Sequence, residues 1–211
     1  MALSPSDEMN RYASDFMKRE YAAALSKSAI PARLSPITPN DTSVALRLDV
    51  GSRSVLLGSD LATGRDQLTG WSSVLASPMA LGKKSAVFKV AHHGSKSGWH
   101  EGVWSDMLEP RPLALMSPFR LGDQKLPNAA DRSRLLAVTN RVFITSHPDK
   151  QSPPAGQRMS KIEKVATQET ITRRLACGPV GHIRWRAPIH DLTNDGEVEL
   201  FDGAMQLVDI V

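Results

Sequence analysis

Between positions 43 and 146 the hydrophobic period switches repeatedly between two residues and the helical repeat, which restricts the chain to a layered α/β architecture. Val44, Leu46, Leu48 and Val50 alternate with Arg47 and Asp49. Gly51-Ser52-Arg53 then turns the chain, and Ser54-Val55-Leu56-Leu57 returns as a more apolar run. This pattern predicts a β-hairpin whose first strand carries its apolar residues on one face. A helix is expected over 67–76, with Leu68, Trp71, Val74 and Leu75 inward, followed by a strand over 86–90. A second helix is expected over 99–108, a strand over 113–116, a helix over 131–138 and a strand over 141–146. The order ββαβαβαβ predicts an α/β domain of α+β layers, with helices flanking a mixed sheet.

Outside this block the pattern is simpler. Ser4 as N-cap, Pro5 at the first helical position and Asp7-Glu8 behind them predict a helix start. Met9, Tyr12, Ala13, Phe16, Met17, Ala24 and Leu25 recur at helical spacing, so residues 1–30 form an amphipathic helix whose stripe is expected to pack. Three prolines between 30 and 40 mark a linker or an extended edge. Residues 31–147 form the main unit and 148–211 a loop and β-rich extension. In that extension 161–174 suits either period, 181–186 reads as a strand, and 197–201 and 204–208 read as a hairpin about Asp202-Gly203.

Composition excludes several classes. Cys177 is the sole cysteine, which rules out an intrachain disulfide and a cysteine metal cluster. Aromatic residues make up 5%, too few for a base-stacking platform. The net charge of +4 suits an anionic substrate and ordinary solvated surface equally. The first residues lack the charged and apolar regions of a secretory signal, and no apolar run is long enough to span a bilayer. The expected location is the cytoplasm.

Chemistry concentrates at two strand ends. The strand 86–90 runs directly into Ala91-His92-His93-Gly94-Ser95, and the hairpin ends in Gly58-Ser59-Asp60. Each has a bland reading: histidines that cap or pack a turn, and an aspartate that caps the next one. Two consecutive strands of one sheet both ending in ligand-type or proton-transfer residues favour a site. Ser95 lacks the glycine pattern of a nucleophile elbow. Lys83, Lys84, Lys89 and Lys96 surround the strand and would suit a phosphate-bearing substrate or a solvated rim. Arg173, Arg174, Arg184 and Arg186 with Trp185 would suit nucleic acid, without a motif to support it.

Asn40-Asp41-Thr42-Ser43, the hairpin VALRLDVGSRSVLLGSDL and the strand end VFKVAHHGSKS together resemble the second half of a metallo-β-lactamase-fold hydrolase. The subgroup most resembled includes the hydrolase domain of bacterial DNA-uptake channel proteins, and the likeness covers roughly 34–146, about half the chain. The resemblance implies half of an αββα sandwich around a one- or two-metal site of zinc or manganese. It implies Asp60 as a metal ligand, His93 as a ligand or proton carrier, and His92 and His93 as the catalytic pair. A metal acidifies water toward neutral pH while a histidine protonates the leaving oxygen.

Two departures qualify it. The His-x-His-x-Asp-His motif of the family's first half occurs nowhere among the six histidines. Leu126, before Pro127, stands where the subgroup carries a histidine. Asp60 and a histidine pair do not complete a catalytic zinc site. The open sheet face of half a sandwich is therefore expected to be covered by a protein partner bearing the missing half and its ligands, by self-association of the chain, or by the residues after Ser160. The chain's reaction would then be hydrolysis of a phosphodiester or related ester. The alternative is a non-catalytic scaffold that keeps the fold without the metal site.

Overall fold

A computed structural model describes residues 1–26, 39–64, 67–78, 80–121, 123–149, 181–191 and 194–210. Helix α1 spans Asp7–Ser26, and the hairpin strands are β1 (Leu46–Val50) and β2 (Arg53–Leu57). Helix α2 (Gly70–Ala76) leads to β3 (Ser85–Lys89) and β4 (Leu108–Met116). A small hairpin of β5 (Phe119–Leu121) and β6 (Gln124–Leu126) precedes α3 (Ala129–Val138) and β7 (Val142–Ile144). Strands β8 (His182–Arg186), β9 (Glu197–Phe201) and β10 (Met205–Gln206) complete the described chain. No described helix is long and apolar enough to cross a membrane.

Six strands form one sheet in the order β1-β2-β3-β4-β7-β10. The central pairs β2–β3, β3–β4 and β4–β7 are parallel, and the outer pairs are antiparallel, so the sheet is mixed and the α+β class holds. Outside β1, Ala2 bridges Leu46, and the Arg47 amide donates to the Met1 carbonyl, which covers much of that edge.

Register separates the two faces. Leu56, Phe88, Ala114 and Val142 lie side by side across β2, β3, β4 and β7, each at most 2% exposed. This face packs against Trp71 and Val74 of α2 and Leu135 of α3, with Trp71 edge-on to Phe88 at 6.2 Å. The opposite face carries the pairs Leu46–Leu57, Leu48–Val55 and Leu115–Phe143. There Leu48 is 43% and Val50 54% exposed. Among the described residues, Arg53 and Trp185 line a pocket with Val87 and Leu113, which are buried on this second face. An apolar sheet face left open to water is what half of a two-sheet sandwich presents.

Several expectations need correction. Ser6, not Ser4, caps α1, its hydroxyl accepting from the Met9 amide at 3.1 Å. The stripe of α1 does not pack as expected: Met9 is buried, while Tyr12, Met17 and Leu25 are exposed. The helix expected over 99–108 forms only over 101–107, and its Val103–Met107 part is wound as a π-helix. Stacking of Trp99 on Trp104 at 4.9 Å, and of Trp104 edge-on to Phe88 at 5.4 Å, ties that segment to β3. Strand β4 begins five residues before the expected 113 and passes through Pro110 and Pro112. A bulge between the pairs Ser85–Leu108 and Val87–Leu113 accommodates the two prolines. The turn at Asp202-Gly203 forms, but its flanking strands do not pair with each other. Strand β9 pairs with β8, where Arg184 holds Glu199 through two bonds of 2.5 and 2.9 Å, and β10 pairs with β7. The segment 161–174 and Cys177 lie outside the described residues.

Candidate functional site

The parallel pairing of β2 and β3 brings Asp60 and the histidine pair together. Beyond the last register pair, Leu57–Lys89, the Gly58 amide donates to the Lys89 carbonyl and the His92 amide to the Ser59 carbonyl, each at 2.9 Å. The approach is so close that a Cβ on Gly58 would lie 2.8 Å from that of Ala91. Ser59, His92 and His93 adopt left-handed backbone angles, with φ of 48°, 46° and 55°. Such angles are costly outside glycine and persist where the surroundings impose them, often at sites.

His93 is held on both sides. Its Nδ1 lies 3.0 Å from the Ser117 carbonyl oxygen, which can only accept, so Nδ1 carries the proton. Its Nε2 is left facing the Asp60 carboxylate at 3.7 Å. Phe119 stacks on the ring at a centroid distance of 5.1 Å. The Asp60 side chain is 52% exposed and that of His93 23%, so the space beside them is reachable from solvent.

His92 is engaged at both nitrogens. The Asn40 amide nitrogen lies 3.1 Å from Nε2, and the Ser97 hydroxyl 2.9 Å from Nδ1. An amide nitrogen donates, so Nε2 accepts, and Nδ1–H donates to Ser97. Ser97 passes the chain on to Ser95 at 2.9 Å. Burial pushes the His92 imidazole below its ordinary value, Asp60 opposing and His93 adding to the shift, so the ring is neutral at pH 7. Lys89 is likewise pushed below its ordinary value by burial, with Asp60 opposing.

The structure thus places Asp60 beside His93, as the sequence suggests, and gives the two histidines different surroundings. The Nε2 of His93 faces a carboxylate, whereas both nitrogens of His92 are hydrogen-bonded. Nitrogen and carboxylate donors of this kind suit zinc or manganese. Among the described residues no third histidine, cysteine or carboxylate joins them in a group that could hold a metal ion. Leu126 is 7% exposed and, with Ser95, Ser97 and Asn128, lines an open depression of about 520 Å³. Ser95 bonds to Ser97 rather than to His93, so no Ser95–His93–Asp60 triad forms. His100 and His147 each accept from a nearby backbone amide, of Gly102 and Asp149, and stand apart from the pair. Lys83 and Lys84 donate to the Gly51 and Ser105 carbonyls.

Sequence reasoning did not assign Asn40, Ser97, Ser117 or Phe119 to the site. Asn40 and Ser97 stand within the quoted motifs, but only folding shows that they hold opposite edges of one ring. No protein-family model, curated protein or solved structure matches this chain.

Proposed function

We propose that this chain is the C-terminal half of a metallo-β-lactamase-fold, metal-dependent hydrolase acting on a phosphodiester or related ester. Polypeptide outside these 211 residues completes it, covering the open sheet face and supplying the His-x-His-x-Asp-His ligands. The observation that carries the reading is the His93–Asp60 pair: Nδ1 tied to Ser117, and Nε2 aimed at a carboxylate 3.7 Å away. A ring nitrogen anchored on a carbonyl, with its partner nitrogen directed at a ligand position, is how proteins fix a metal-binding histidine.

Asp60 and His93 would hold the zinc or manganese from this side. The bound metal would supply Lewis acidity and a water acidified toward neutral pH. His92 Nδ1–H donates to Ser97 Oγ, which is exposed, and so orients that hydroxyl to donate its own hydrogen bond to a substrate oxygen. Asn40 keeps the ring turned for that task. The open face supports the partner: Leu48 and Val50 stand in water on the face that also carries Leu46, Val55 and Leu57.

The test is hydrolysis of bis(p-nitrophenyl) phosphate by the assembled protein. Asp60→Ala and His93→Ala should each lower the rate by at least about a hundredfold, the scale of losing a positioned catalytic group. Unchanged turnover, or a stable complex with no metal-dependent turnover, would instead favour the scaffold reading.

A further inference from the structure

A second pocket lies on the far side of the sheet from the helices, where the β8–β9 ribbon closes over β3 and β4. It encloses about 150 Å³ and is walled by Arg53, Arg111, Arg141 and Trp185 above a floor of Val87 and Leu113. Cavities of roughly this size admit a molecule as large as benzene. Glu109 and Asp195 also reach its lining.

The charges there do not cancel. Arg141 is paired with Asp195 at 3.2 Å, which accounts for one charge of each sign. Arg53 is 7% exposed, and among the described residues its partners are neutral: the carbonyls of Pro188, Asp191 and Asn194, and the Trp185 ring 5.7 Å away. A buried guanidinium facing only carbonyls and an indole is an uncompensated cation. Arg111 is a second, with no ion pair among the described residues and an exposed side chain. Against these two cations stands one carboxylate, that of Glu109.

The backbone at Arg111 is also unusual. Its φ is 56°, in the left-handed region, inside the β4 bulge and between two prolines. An extended strand has no need of that conformation, and arginine does not favour it. Arg111, exposed and without an ion pair among the described residues, thus lines the same pocket as the buried Arg53.

We propose that this pocket binds a small organic oxyanion, a carboxylate or phosphate monoester with a flat or apolar body. The oxyanion meets Arg111 and the field of Arg53, and the body lies against Trp185, Val87 and Leu113. Guanidinium groups match the planar or tetrahedral oxygens of such ligands, and the indole face accepts a ring. The pocket uses neither Asp60 nor the histidines, so it is independent of the hydrolase reading.

Isothermal titration of the 211-residue chain with phenyl phosphate, benzoate, inorganic phosphate and benzyl alcohol tests this directly. Phenyl phosphate or benzoate should bind saturably at millimolar concentration or below, the tighter of the two identifying the oxyanion class. Both should exceed inorganic phosphate, and benzyl alcohol should give no saturable heat. Arg111→Gln should weaken binding at least about tenfold while leaving the melting temperature of the free chain unchanged. Trp185→Leu should abolish the advantage of the aromatic acids over inorganic phosphate, and Asp60→Ala should change nothing. No saturable binding by either acid, or equal affinity in Arg111→Gln, would overturn the proposal.

Discussion

The Nδ1 atom of His93 donates to the Ser117 carbonyl across 3.0 Å, and this bond makes the neighbouring histidine chemically different. With Nδ1 held on that carbonyl, the Nε2 of His93 points at Asp60. His92 spends both nitrogens on Asn40 and Ser97. The strand ends they touch therefore leave two adjacent, identical residues in different surroundings, one with both ring nitrogens bonded and one with Nε2 facing a carboxylate.

That difference has a pH signature. His92 titrates below the ordinary histidine value of 6.5 because it is buried, so the unfolded chain takes up its proton first. Stability contributed by the neutral ring is complete above about pH 6.5 and is lost as pH falls toward the depressed folded value. Urea unfolding at a series of pH values should show this decline, and His92→Gln should flatten it over that window.

Gly94 continues the left-handed run with φ of 75°, and a Cβ there would lie 3.1 Å from Leu135 Cδ1. Gly94→Ala should cost about 1–2 kcal/mol through backbone strain and the displaced leucine. Chemical denaturation of the variant would measure it. The cost should fall on the whole domain, because Leu135 belongs to the core between α3 and the sheet.

The open sheet face makes a different prediction. Leu48 and Val50 are exposed in the chain alone, so Leu48→Lys and Val50→Lys should alter its stability by no more than about 0.5 kcal/mol. In the presence of the completing half they should weaken assembly at least about tenfold. Unfolding curves of the isolated variants, set beside sedimentation of the mixtures, separate the two effects.

Alternation of apolar residues announced β1, and short apolar runs announced β2, β3 and β7. The second half of β4 was legible over 113–116, but its first half escaped, since Pro110 and Pro112 read as breakers and only the bulge lets them lie within a strand. The segment 99–108 has helical spacing at Val103 and Met107 and is helical over 101–107, but its π winding and the Trp99–Trp104 stack carry no sequence signal. Likewise Asp202-Gly203 signals a turn truthfully, but which strands its arms join depends on β7 offering a free edge. At the site, strand order was enough to bring Asp60 to the histidines. The partners that distinguish His92 from His93 come from positions 40, 97 and 117, which no local pattern connects.

The central claim is that Asp60 and His93 form one wall of a metal site completed from outside the chain. The most direct measurement is elemental analysis of this chain purified in complex with a polypeptide carrying His-x-His-x-Asp-His. Zinc or manganese should co-purify in at least one equivalent per complex, and Asp60→Ala with His93→Ala should remove it without dissociating the complex. A stable complex that binds no metal, or one whose metal is indifferent to both substitutions, would contradict the claim.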